Sequence, residues 1–160
     1  MHLMIISNAV RRRMYRGGRP SGLARALNRV SALHFRSGIL APADWITMEV
    51  AGRRTGHIVS CPLVVTRYEG ERYLVSMLGE EANWVANVRA AGGDVVLRHR
   101  RREPVHLAEV DPGERAPILR RFLAVAPGAR PHVPVDRHAP VTEFERIAAG
   151  YPVFRVTPRP

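Results

Sequence analysis

From Trp45 onward the apolar residues come in short runs cut by tight-turn signals, a pattern that excludes most architectures open to a chain of this length. The runs are WITMEV (45–50), HIVSCPLVVTRY (57–68), RYLVSML (72–78), DVVLRH (94–99), EPVHLAEV (103–110) and YPVFRVTP (151–158). YEGE (68–71) joins the second run to the third as a hairpin, and the fourth and fifth flank Arg100, Arg101 and Arg102 as another. Helical patterns fall between hairpins and not between every pair of strands, so a parallel α/β sheet is not expected. About six strands of this kind predict a mainly β, α+β chain, a small antiparallel barrel with helical decoration.

Three helices are expected around the strands. EEANWVANVRAA (80–91) begins near Glu81 and stops at Gly92 and Gly93. DPGERAPILRRFLAV (111–125) has Asp111 as its predicted cap, Pro112 at the first helical position and Glu114 three residues past the cap. VTEFERIAAG (141–150) is short, and the proline-rich stretch 126–140 before it is predicted as an ordered loop of the kind that lines sites.

Charge divides the chain. All 25 basic residues are arginine, the formal net charge is +11, and eight arginines but no acidic residue precede Asp44. The absence of lysine removes Schiff-base chemistry, and arginine excess suits phosphate, carboxylate or an anionic membrane surface. Two parts result: a basic extension, 1–40, and a balanced domain, 41–160. Within residues 22–36, Leu23, Leu27, Val30 and Leu33 fall at helical spacing opposite Arg25, Arg29 and Arg36. Such a helix either packs on the domain with a solvated arginine face, the plainer reading, or carries residues 11–36 to an anionic membrane surface. The single Cys61 permits no intrachain disulfide and fits a cytoplasmic location and a core position. MHLMIISNAV (1–10) is too short to span a membrane, and its arginines follow the apolar part, so no export signal is expected.

Two stretches carry candidate chemistry. In AGRRTGHIVSCPL (51–63), Gly52 and Gly56 bracket a turn from which Arg53, Arg54 and the Thr55 hydroxyl project; it is either a cradle for a phosphate or carboxylate tail or a plain exposed turn. In SMLGEEANWVANV (76–88), a strand ends in a Gly turn before a helix, and Trp84 and Asn87 share a face of that helix. That pair suits a flat polar ligand, unless Trp84 simply anchors the core. No histidines fall at the i, i+4 spacing of a helical zinc pair and no cysteine cluster exists, so no metal is expected. No nucleophile elbow is present, and the arginines lack the aromatic platform or motif of a nucleic-acid binder. His132 and His138, in the proline-rich loop, are positioned to touch a substrate.

Taken in order, WITMEVAGRRTGHIVSCPLV, GERYLVSMLG and NWVANVRAAG resemble the deazaflavin-dependent nitroreductase and quinone reductase family over about residues 45–110. The resemblance implies a split β-barrel that binds the deazaflavin coenzyme F-420, which carries a phosphate and an oligoglutamate tail. It also implies hydride transfer from the reduced coenzyme to a quinone, a nitroaromatic or an activated alkene (enone). By the same resemblance, Arg53, Arg54, Thr55 and Gly56 meet the anionic tail and phosphate, and Ser60 and Pro62 line the groove. Met77, Leu78 and Gly79 form the turn against ring or phosphate, while Trp84 and Asn87 help close the site. Two departures lower the positive charge of the groove: Met77 stands where the family often has lysine, and Val59 where many members have a basic residue.

Hydride transfer demands orientation more than an acid or base, so no catalytic residue is required. Family tyrosines near the acceptor have no counterpart in the proline-rich loop, which leaves His132 as the candidate proton donor. A competing reading keeps the barrel but fills it with FMN, another cofactor or a lipid without turnover; a third is a basic membrane or nucleic-acid adaptor. A lipid-soluble acceptor would put the protein at the inner face of the membrane, and split barrels often form homodimers across a sheet face.

Overall fold

The computed structural model describes residues 44–160. The basic extension and its expected amphipathic helix lie outside the described residues. The strands are β1 (Trp45–Ala51), β2 (Ile58–Val64), β3 (Thr66–Tyr68), β4 (Glu71–Val75), β5 (Asp94–His99), β6 (Arg101–Glu109) and β7 (Val153–Pro158). They form one antiparallel sheet in the order β2-β1-β5-β6-β7-β4-β3.

The two edge strands of that order, β2 and β3, are consecutive in the chain with only Val65 between them. A single run therefore pairs with β1 on one side and with β4 on the other, and its corner at Val65 closes the sheet into a barrel. This is why seven strands replace the six expected. Val65 is buried at the corner, and its N–H donates to the Asp44 carbonyl at 2.6 Å.

Both expected hairpins form. Glu69 and Gly70 have φ of 48° and 79°, the paired positive values of the tight turn that matches strand twist. In the other hairpin Arg100 alone takes the positive value, 68°, between the paired His99 and Arg101.

Alternation along the strands fills the barrel with Ile46, Met48, Val50, Leu74, Val95, Leu97, Val105, Leu107, Phe154 and Val156. Helix α1 (Asn83–Ala90) adds Val85 and Val88 to this core, and the Trp84 ring lies 5.6 Å from that of Phe154. A second core lies outside the barrel, where α2 (Ala116–Val125) and α3 (Val141–Ile147) pack Leu119, Phe122, Leu123 and Phe144 with Val75 and Val153.

Three helix boundaries differ from expectation. A 3-10 turn, Gly79–Glu81, occupies the expected start of α1, which begins at Asn83 after an extended Ala82. Asp111 makes no side-chain cap bond; a 3-10 turn, Pro112–Glu114, precedes an α2 that starts at Ala116. Pro117 is the reason, since proline is tolerated only in the first turn of a helix and α2 cannot begin much before it. The proline-rich stretch, expected to be irregular throughout, opens with a 3-10 segment, Pro127–His132.

Candidate functional site

The arginine turn is closed by its own backbone. The Gly52 N–H donates to the His57 carbonyl at 2.8 Å and the Gly56 N–H to the Gly52 carbonyl at 2.9 Å. Gly56 has φ +76°, a value that favours glycine. Thr55 Oγ accepts from the His57 N–H at 3.2 Å, which leaves its O–H to donate outward. Residues 53–57 are all exposed.

Asn87, buried on α1, fixes this turn. Its Oδ1 accepts from the Arg53 backbone N–H at 3.1 Å and from Arg53 Nη1 at 2.8 Å. Two candidate residues 34 positions apart are thereby joined, with Asn87 orienting Arg53 from below. Neither Arg53 nor Arg54 forms an ion pair among the described residues. Two consecutive arginines of one turn are thus without a carboxylate partner among the described residues.

The glycine turn at the other end of α1 is held as firmly. Buried Ser76 donates from Oγ to the Gly79 carbonyl at 2.8 Å, and its own N–H donates to the Pro152 carbonyl at 3.0 Å. Gly79 has φ +76°, and a Cβ there would stand 2.9 Å from the Gly150 carbonyl oxygen.

A chain of ion pairs ties this turn to the rest of the molecule. Arg89 holds Glu80 (2.7 Å) and Glu109 (2.9 Å), and Glu109 also meets Arg115 at 3.1 Å. Arg115 is buried and donates further to the carbonyls of Val110 (2.8 Å), Ala148 (3.3 Å), Ala149 (3.3 Å) and Tyr151 (3.4 Å). The Arg89 guanidinium beside Glu80 holds its carboxyl below the usual range, and Glu109, then Glu80, push Arg89 up. Tyr151 O–H donates to the His132 carbonyl at 3.0 Å, so the same network reaches the proline-rich loop.

The remaining candidates divide between surfaces. Strand register puts Ser60 opposite Glu49 and Pro62 opposite Thr47, on the sheet face turned away from core residues Met48 and Val50. Leu78 and Trp84 lean on the barrel core, and Met77 on the second core. Ile58 and Val59, beside the arginine turn, are exposed at 64% and 42%; as strand neighbours they face opposite sides of the sheet, Val59 paired with the core residue Val50 and Ile58 with Ala51. His132 sits in the 3-10 segment with its Nε2 buried, and His138 is exposed beside Arg137. Sequence spacing missed Ser76 as the clip of the glycine turn and Glu109 with Arg115 as its anchor. A serine three residues before a glycine at a strand end was the one available signal.

Residues 28–144 match the family model described as F-420H(2)-dependent quinone reductase. The chain belongs to this family. Among solved structures, a domain-swapped dimer is 15% identical, with 84% of this chain and 96% of that chain covered and a TM-score of 0.51. A protein of unknown function from Agrobacterium tumefaciens is 9% identical, with 85% and 57% covered and a TM-score of 0.53. An F-420-H2 dependent reductase is 18% identical over 72% of this chain and 95% of that chain, with a TM-score of 0.48. The first two share the fold with this chain. No curated protein matches it.

Proposed function

We propose that this family member is a reductase that draws hydride from reduced coenzyme F-420 and delivers it to a quinone, with nitroaromatics and activated alkenes as related acceptors. The observation that carries the reading is the Arg53–Asn87 contact, which fixes one arginine of a cationic turn next to exposed Ile58. Such a surface fits the coenzyme: two arginines without carboxylate partners among the described residues suit a polyanionic tail, and a Cβ-sized space beside Gly56 leaves room for it.

The coenzyme supplies a two-electron hydride donor at carbon when bound. Arg53, braced by Asn87, and Arg54 bind the tail and phosphate; Thr55 donates its hydroxyl hydrogen to the same anion. Ile58, on the same strand face as Ser60 and Pro62, gives a flat apolar body a surface that excludes water on one side. The Ser76–Gly79 clip holds the turn ahead of α1 in one conformation, which limits how far ring and acceptor can drift out of line. Ser60, Pro62, Met77, Leu78 and Trp84 serve as groove and wall. His132, in the loop bonded to Tyr151 and with its Nε2 buried, is the candidate proton donor of this scheme.

Two further readings, of address and assembly, belong to the same proposal, and one competes with it. Residues 11–36 give the protein a membrane-surface address suited to a lipid-soluble quinone, in a chain with no described helix long and apolar enough to cross a membrane. FMN is the competing ligand. A homodimer across a sheet face is the expected assembly, to be read by light scattering. Anaerobic oxidation of the reduced coenzyme with menadione, a nitroaromatic or buffer alone tests the activity: acceptor-dependent turnover supports it, and binding without turnover contradicts it.

A further inference from the structure

The barrel end opposite the arginine turn holds a cavity of about 220 Å³. Its floor is Ile46, Val65 and Leu97, all buried, and its rim is Arg67, Arg72, His99 and Arg101 with one acid, Glu103. Ile46 starts β1 and Arg53 follows its end, so roughly 20 Å of extended strand separates the two places. They are different sites.

The charge at this end is poorly arranged for a sheet left to itself. Register puts Arg67 opposite Arg72 and Arg98 opposite Arg102, and like charges facing each other across an antiparallel pair destabilise it. Carboxylates offset part of this: Asp44 takes Arg67 at 2.8 Å, Glu103 takes Arg72 in a forked pair at 2.7 and 3.1 Å, and Glu49 takes Arg98 at 3.2 Å. Arg101 and Arg102 form no ion pair among the described residues, and Arg101 lines the cavity. His99 Nδ1 lies 3.1 Å from the Trp45 carbonyl; a carbonyl only accepts, so Nδ1 carries the proton and Nε2 remains the ring's other polar atom.

The occupant must bring negative charge. The chain's own leading residues have the wrong sign, with eight arginines and no acid before Asp44, and a second copy brings a net charge of +11. An apolar floor below a cationic rim also asks for more than an inorganic ion. We infer that this barrel end is a second ligand site for a small organic anion. Its compact apolar body rests on Ile46, Val65 and Leu97, and its carboxylate or phosphate is met by Arg101, the rim arginine without a carboxylate partner among the described residues.

The test is titration of the full chain with phenyl phosphate and benzoate, followed by calorimetry, with inorganic phosphate as the comparison. The inference expects saturable binding of an organic anion that weakens about tenfold in Arg101→Gln and more in Arg101→Glu. Arg120→Gln, a surface arginine of α2, should leave it unchanged. Absence of saturable binding, or equal affinity in wild type and Arg101→Gln, overturns the site. So does inorganic phosphate bound as tightly as phenyl phosphate, because the floor then contributes nothing. Retention on phosphatidylglycerol vesicles without binding of either soluble anion would assign the charge to a membrane and also overturn it.

Discussion

Asn87 Oδ1 accepts two hydrogen bonds from a single residue, Arg53, one from its backbone N–H at 3.1 Å and one from its guanidinium at 2.8 Å. Replacing Asn87 by leucine removes the acceptor while keeping the bulk, so the turn loses its anchor at a cost of about 1–3 kcal/mol. Coenzyme affinity should fall about tenfold. Asn87→Asp keeps the acceptor and should hold the turn, yet its negative charge opposes an anionic tail. Fluorescence titration beside a thermal melt separates the two effects.

Gly79 and Gly56 share φ +76° but not surroundings. A Cβ at Gly56 meets open space, whereas at Gly79 it would stand 2.9 Å from the Gly150 carbonyl oxygen. Gly56→Ala should therefore cost about 1 kcal/mol for the left-handed backbone, and Gly79→Ala more, about 2–4 kcal/mol, because backbone must also move. Denaturant midpoints of the two variants check the order.

Arg115→Met removes a buried cation whose partners are Glu109 and four carbonyls. Leaving these buried carbonyls without their donor costs about 3 kcal/mol, enough to lower Tm by roughly 10 °C. Arg89→Met, on the exposed end of the same chain of ion pairs, should cost about 1 kcal/mol or less. A larger effect at Arg89 than at Arg115 would show that the network is anchored at its surface.

Arg89 holds the Glu80 carboxyl, and Arg72 the Glu103 carboxyl, below the ordinary value of 4.5. Folding thus binds these groups in their ionised form, and the stability they add is present above about pH 4.5 and drains away as pH falls through their lower folded values. Tm should decline on acidification from pH 5 to about 3. Glu103→Gln should flatten part of that slope, modestly because both pairs are partly exposed.

The hairpins were legible because Glu69-Gly70 is local turn chemistry, and short alternating runs have few other uses. Closure of the barrel was not. The run 57–68 reads as one continuous strand, and the corner at Val65 exists only because β1 and β4 claim its two halves. Asp111 looked like a cap, but Pro117, six residues on, decides where α2 can begin. Spacing put Asn87 beside Trp84 on one helix face and suggested a shared ligand; its contact with Arg53 joins segments that only the folded sheet brings together. Arg115 is one arginine among many by sequence, and its burial depends on the carbonyls of 148–151 converging around it.

The most direct test of the site is the affinity of the full chain for oxidised coenzyme F-420, titrated in parallel with FMN, in wild type and in the Arg53→Gln, Arg54→Gln double variant. Two charge-assisted contacts at about 1.5–3 kcal/mol each predict preference for the deazaflavin and a loss of roughly a hundredfold or more in the double variant, with its melt lowered only slightly because the residue 53 backbone N–H still bonds Asn87. Preference for FMN, or a double variant that binds the deazaflavin as well as wild type does, would contradict the account.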